Sequence, residues 1–428
     1  MASFTTGPIF NEGSPLLTTV NVMIKNDDPN TGAAVELVLF QIVRSSSETS
    51  SIEVDHQLFS LNAQSGITKT MSITGFQGYE LQVNVTGSTN VVVNSFTTDS
   101  TGAVNAAKRV LQAETTALPE AALGNRIFVA NFGSNNVSII DGNTNTVIGT
   151  APVGTSPSRI GVNDTTDRVY VSDSNSNAVS VIDANMGTVI ATVPVGTDPA
   201  GVGVNPVTNA IYVANGAGTT VSVIDGAFNI VIATIQVGSS PSGVGVNSVT
   251  NRIYVTNSAS NTVSVIDGNT NTVVATISTN IGLTPFDVAV NTTTNQIFVS
   301  NRAPFSTSTV SVIDGATNTV LTNVTTGFHA LSSGIAVNST TNLIYVANEN
   351  FNNVDVIDGT TDTITATIPV GPSPFGVGIN PETNTIFVAN SNLGTLNPGT
   401  VSVINGATNA ITATIPVNLS PSGVSVIS

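Results

Sequence analysis

Few residues in this chain are equipped for catalysis. It has no cysteine and two histidines, His56 and His329. That excludes thiolate nucleophiles, disulfides, iron–sulfur clusters and Cys-ligated zinc. A Ser-His-Asp arrangement in the C-terminal three-quarters would have only His329 to build on. Glycosidase or lyase chemistry needs two carboxylates at a set separation. Asp287, Glu349 and Asp355 are available for it, with no motif that selects among them. A recurrent Asp before Gly or a small residue (Asp141, Asp183, Asp225, Asp267, Asp314, Asp358) suggests calcium. Each such turn offers one carboxylate plus amides, whereas Ca²⁺ takes six to eight oxygens, so the expected role is to cap its own turn. The Gly-rich segments GVGVN lack the strand-to-helix context of a phosphate loop. No catalytic residue, metal ligand or cofactor is assigned, and the expectation is a protein that is not an enzyme.

The composition narrows the choice of partners. Of 428 residues 8% are charged and 40% hydrophobic, and 10 basic against 26 acidic residues leave a net charge of -16. Such a surface repels nucleic acid and anionic membranes. No apolar run reaches the length of a membrane span, and the first residues lack the basic and apolar regions of a secretion signal. The expected partners are a protein or a further copy of the chain, a glycan or a peptide.

These residues must be positioned by a repeat that starts at Asn125. Four segments recur, of the form GVGVN, NRIYVTN, NTVSVIDG and NTVVATIPVG. The residue that ends the second segment recurs as Asn131, Asp173, Asn215, Asn257, Asn301, Asn348 and Asn390, at intervals of 42, 42, 42, 44, 47 and 42. Each segment alternates β-branched with small residues between Asn, Asp, Gly and Pro turns, which predicts four short strands per repeat. Four strands in about 40 to 45 residues make a propeller blade. The first copy lacks its first strand, and Pro421–Ile427 is a seventh first strand with nothing after it. The fold class is therefore all-β, a seven-bladed β-propeller closed by its C-terminal strand, over residues 118–428. A small β-sandwich at 18–117 and an arm at 1–17 precede it.

Tyr254-Val255-Thr256-Asn257 followed by Thr262-Val263-Ser264-Val265-Ile266-Asp267 resembles the YVTN β-propeller repeat family. That resemblance implies a propeller found in cell-surface and surface-layer-like proteins, generally without catalytic activity. The N-terminal module is similar to small sandwiches of spore-forming bacteria, which implies a cell- or spore-surface location.

Loop lengths show where a site belongs. The turns between first and second strands, and between third and fourth, never change length. From marker to turn Asp is 10 residues in five blades, but 13 from Asn301 to Asp314 and 15 from Asn390 to Asn405. Insertions therefore fall on one face, in blades 5 to 7. The residues that depart from the repeat collect there too: Phe286, Asp287, Arg302, Phe305, His329, Glu349, Phe351 and Phe375. Loops on a rigid scaffold are where binding sites arise. These eight are the candidate ligand-binding residues. The leading expectation is a non-enzymatic surface protein with the propeller as a display or binding disc and the N-terminal module as anchor. The alternatives are a carbohydrate- or peptide-binding propeller that uses the loops of blades 5 to 7, and a hydrolase or lyase.

Overall fold

The computed structural model describes residues 125–392 and 397–427 with their side chains, and the backbone of nine strands before residue 111. The chain divides into two compact units, Met1–Ala117 and Leu118–Ser428. In the first, Thr49–Leu61, Ala33–Arg44, Gly78–Thr86 and Ala2–Thr5 form one antiparallel sheet, and Ile9–Phe10 also pairs with Gly78–Thr86. The segment read as an arm, 1–17, thus contributes two short strands. A second sheet orders Gly66–Ser72, Leu17–Asn26, Val91–Asp99 and Val104–Val110. The assembly role expected of this unit depends on side chains outside the described residues.

The second unit is a seven-bladed β-propeller. Blade 2 is representative, an antiparallel meander of Pro157–Asn163, Arg168–Asp173, Ala178–Asp183 and Thr188–Pro194, ordered from the axis outward. Blade 1 is assembled from both ends of the unit: Pro421–Ile427 lies antiparallel on Arg126–Asn131, which in turn pairs with Asn136–Asp141 and Thr146–Pro152. Closure by the last strand is what the register of the repeat predicts, and it leaves no inner sheet edge open.

The burial pattern explains the residue choice along each blade. Second and third strands are covered on both faces by neighbouring blades and read as near-continuous Val, Ile and Tyr, such as Ile211, Tyr212 and Val213. Fourth strands alternate exposed and half-buried residues, as in Thr363–Pro369. The core is a chain of inter-blade clusters. Tyr170 and Val181 of blade 2 pack with Ile211 and Val213 of blade 3, and Ile127 and Val129 of blade 1 pack with Phe387 and Val401 of blade 7.

Two polar devices repeat in most blades. The marker Asn ties the start of the third strand: Asn257 Nδ2 donates to Thr262 Oγ1 and Ser264 Oγ, both at 3.0 Å. The turn Asp caps its own turn, as Asp267 Oδ1 accepting from the Asn269 amide at 2.8 Å, which is the capping role expected of it.

A third device links the blades. The Asn ending each inner strand donates Nδ2 to the Asn before the next blade's second strand, from Asn163 to Asn209 and onward to Asn380 and Asn125, six times at 2.7–2.9 Å. At the seventh joint blade 1 ends its inner strand with Ile427, and Arg126 replaces the pair. Its Nη1 donates to the carbonyls of Ala184 and Asn185 in blade 2. Arg126→Ala removes charge-assisted bonds from a buried side chain that is 2% exposed. The expected result is a loss of about 1.5–3 kcal/mol, read as a lower midpoint in thermal unfolding.

The inner strands crowd together near the axis. A Cβ on Gly334 would lie 2.2 Å from the Phe375 carbonyl oxygen. Gly334→Ala should therefore push the inner strands of blades 6 and 7 apart and cost about 1–3 kcal/mol, measurable by denaturant unfolding.

Candidate binding site at the channel mouth

Third residues of several inner strands line a cavity on the axis, and the second residues precede them in each strand. At the third position five blades carry Gly (Gly201, Gly243, Gly334, Gly376, Gly423), while blade 2 has Arg159 and blade 5 has Asp287. At the second position five blades carry Ser or Ala, while blades 5 and 7 have Phe286 and Phe375. After the second strand, Ser174, Ser258 and Ser391 of other blades are matched by Arg302 in blade 5 and Glu349 in blade 6. Six departures from the repeat thus converge on one place.

Their geometry is specific. The Phe286 and Phe375 rings meet edge to face with centroids 5.7 Å apart. The Arg159 guanidinium lies 4.6 Å from the Phe375 centroid and 5.2 Å from that of Phe286. Arg302 lies 5.1 Å from Phe286 and 5.9 Å from Phe375. Two cations thus share one pair of aromatic rings, an arrangement of about 0.5–2 kcal/mol per contact. Arg302 pairs with Glu349, whose Oε2 also accepts from Ser333 Oγ at 3.3 Å. Arg159 Nη2 is 3.8 Å from Asp287 Oδ2 across the channel. Loss of water holds the Arg159 guanidinium below its ordinary pKa; Asp287 works against that and the charge of Arg302 adds to it. A cavity of about 150 Å³ lies beneath, lined by Arg159, Asp287, Ser425 and the glycine backbone of Gly201, Gly376 and Gly423.

Five of the eight sequence-predicted residues, Phe286, Asp287, Arg302, Glu349 and Phe375, are therefore in contact around the mouth. The other three form a separate cluster on the rim. The His329 ring packs on Phe305 and Phe328, with centroids at 5.7 and 4.6 Å. Phe351 lies against Gly327, whose φ of 140° suits glycine alone among common residues. Phe305 is 86% exposed and Phe328 64%. The insertions of blade 5 do not form loose loops here. Thr307–Asp314 and Thr319–Phe328 lengthen one hairpin, with Thr307 opposite Phe328. Part of the longer blade 7 loop, residues 393–396, lies outside the described residues.

Arg159 is missing from the sequence-based set because it sits on an inner strand in a blade without insertions. Aligning the third position of all seven inner strands would have found it, through the same comparison that isolates Asp287.

No family model and no curated protein matches the chain. Its fold is shared by solved structures. Hydrazine synthase of Kuenenia stuttgartiensis is 20% identical with a TM-score of 0.57, covering 64% of this chain and 91% of that one. A functionally unknown protein from Desulfotomaculum acetoxidans is 16% identical with a TM-score of 0.57, covering 71% and 98%. The dihydro-heme d1 dehydrogenase NirN is 13% identical with a TM-score of 0.55, covering 73% and 77%. At such identities the likeness shows the propeller fold alone. Among the described residues no helix is long and apolar enough to cross a membrane.

Proposed function

We propose that this chain is a non-enzymatic binding protein in which the propeller holds its ligand at the channel mouth and the N-terminal unit attaches the disc to a larger assembly. The carrying observation is the convergence of Arg159, Phe286, Asp287, Arg302, Glu349 and Phe375, each a departure from an otherwise regular repeat, into one connected cluster beside a cavity that Arg159 and Asp287 line. Pockets with a few convergent polar groups on a rigid fold are the usual form of a ligand site. At the mouth the Glu349 carboxylate is engaged by Arg302 and Ser333, Asp287 lies beside Arg159, and arginine exchanges no proton at neutral pH, so the mouth favours holding over acid–base turnover. A cell- or spore-surface location and kinship with YVTN-repeat propellers belong to the same proposal.

Phe375→Ser and Phe286→Ser restore the residue that blades 1, 2, 4 and 6 carry at that position. With intact protein screened by thermal shift against dipeptides and monosaccharides, any ligand that raises the midpoint of the parent should lose at least tenfold in affinity in these variants. Binding that is indifferent to both would move the site away from the mouth. The anchoring role is tested by deleting residues 1–17 and imaging producing cells with labelled antibody; unaltered localisation and assembly would end it.

The rim favours a second reading. Phe305 and Phe328 present exposed rings, with the half-buried His329 packed on both, suited to stacking on a sugar or peptide face. Glycan or peptide-array binding that survives Phe305→Ala with Phe351→Ala would exclude it.

A further inference from the structure

We propose that the ligand held at the mouth is a carboxylate, seated between the guanidinium groups of Arg159 and Arg302, and that Asp287 is the internal group it displaces. This rests on the mouth being a binding site, and names what it binds.

Four observations carry it. The two guanidiniums are near neighbours, since both lie against the same pair of rings, Phe286 and Phe375. They carry like charge in a confined setting, so an anion between them relieves both burial and repulsion. Their own carboxylates are engaged unequally. Glu349 is in direct contact with Arg302. Asp287 stops 3.8 Å from Arg159, beyond the roughly 2.7–2.9 Å of a charge-assisted hydrogen bond, and its Oδ1 is tethered to the Val288 amide at 3.0 Å. The other Arg159 contact, Nη1 to the Ser422 carbonyl, is 3.5 Å long. Arg159 therefore presents its fork to the cavity with donor capacity in hand, and Arg302 Nε is buried with no hydrogen-bond partner among the described residues.

Guanidinium forks match the two oxygens of a carboxylate. Size and field narrow the class further. The cavity that Arg159 and Asp287 line, about 150 Å³, admits a few heavy atoms, and a net charge of -16 disfavours polyanions such as nucleotides. A monocarboxylate remains, whether from a small organic acid or from the C-terminus of a peptide.

The test is isothermal titration of the intact chain at pH 7 and constant ionic strength. Acids are compared with their neutral amides: propionate with propionamide, and N-acetyl-trialanine with its C-terminal amide. The two pairs separate a free acid from a peptide end. The expected result is binding of at least one acid with its amide at least tenfold weaker. Arg159→Gly and Arg302→Ser, both residues that other blades carry at these positions, should each weaken the acid at least tenfold while thermal midpoints confirm folding. Asp287→Gly, again the residue of other blades, should tighten it several-fold by removing the internal competitor. Equal binding of acid and amide, no effect of Arg159→Gly, or weaker binding in Asp287→Gly would each overturn the inference. If neither acid binds but a neutral sugar or dipeptide does, and Phe375→Ser abolishes it, the carboxylate assignment fails and the binding reading stands. If nothing binds, both fall.

Discussion

Removing residues 421–428 is expected to abolish the cooperative unfolding transition of the propeller. The lost strand supplies the inner member of blade 1 and buries Val424, Val426 and Ile427 to 3–7% exposure. At about 1.5–3 kcal/mol per buried aliphatic side chain, those three alone contribute roughly 5–9 kcal/mol, comparable with the entire stability of an ordinary domain. The truncation also exposes the hydrogen-bonding edge of Arg126–Asn131 and the flanks of blades 7 and 2, an invitation to aggregation. A permutant carrying the same strand directly before Asn125, joined by a turn like the one between Asn163 and Arg168, should regain the transition. A truncated protein that unfolds at the parent's temperature would show that closure contributes little.

The second large effect concerns one buried carboxylate. At the marker position six blades carry Asn and blade 2 carries Asp173, which is fully buried and accepts from Ser180 Oγ at 2.6 Å. Burial raises its pKa from 3.8 to about 6, with the Ser180 bond only partly offsetting. Because the folded state holds its proton more tightly than the unfolded chain, this group's contribution to stability is full below pH 4 and is lost as pH rises through 6. The loss above that is about 3 kcal/mol at 1.36 kcal/mol per unit. Asp173→Asn should therefore raise the thermal midpoint by several degrees at pH 8 and leave it nearly unchanged at pH 4. Asp355, also buried and raised by desolvation, adds to the parent's gain on acidification. An Asn variant less stable than the parent at every pH would mean that the carboxylate forms bonds an amide cannot replace.

These two cases show what kind of information the sequence carries. Ring closure was legible because a strand is a period-2 run, and the surplus run at 421–427 could be counted against the deficit at Asn125. The mouth was legible for Phe286 and Glu349, which break a monotonous pattern beside loops. Arg159 and Arg126 were not, because their meaning lies across the ring. Arg159 gains its role from Asp287 and Phe375 in blades 5 and 7, and Arg126 gains its role from the absent seventh Asn pair. Neither relation is local in the chain. The rim differed again: insertion lengths announced extra residues near Phe305, but only strand pairing decides that they extend a hairpin instead of forming a loop.

The central question for this molecule is whether departures from the repeat at the mouth make a ligand site. A high-resolution crystal structure of the intact chain soaked in sodium propionate, beside one soaked in sodium chloride, tests this most directly. The predicted result is a carboxylate with oxygens about 3 Å from the guanidinium nitrogens of Arg159 and Arg302, with Asp287 turned away from Arg159. A direct Arg159–Asp287 hydrogen bond in both crystals, with only solvent in the cavity, would contradict it.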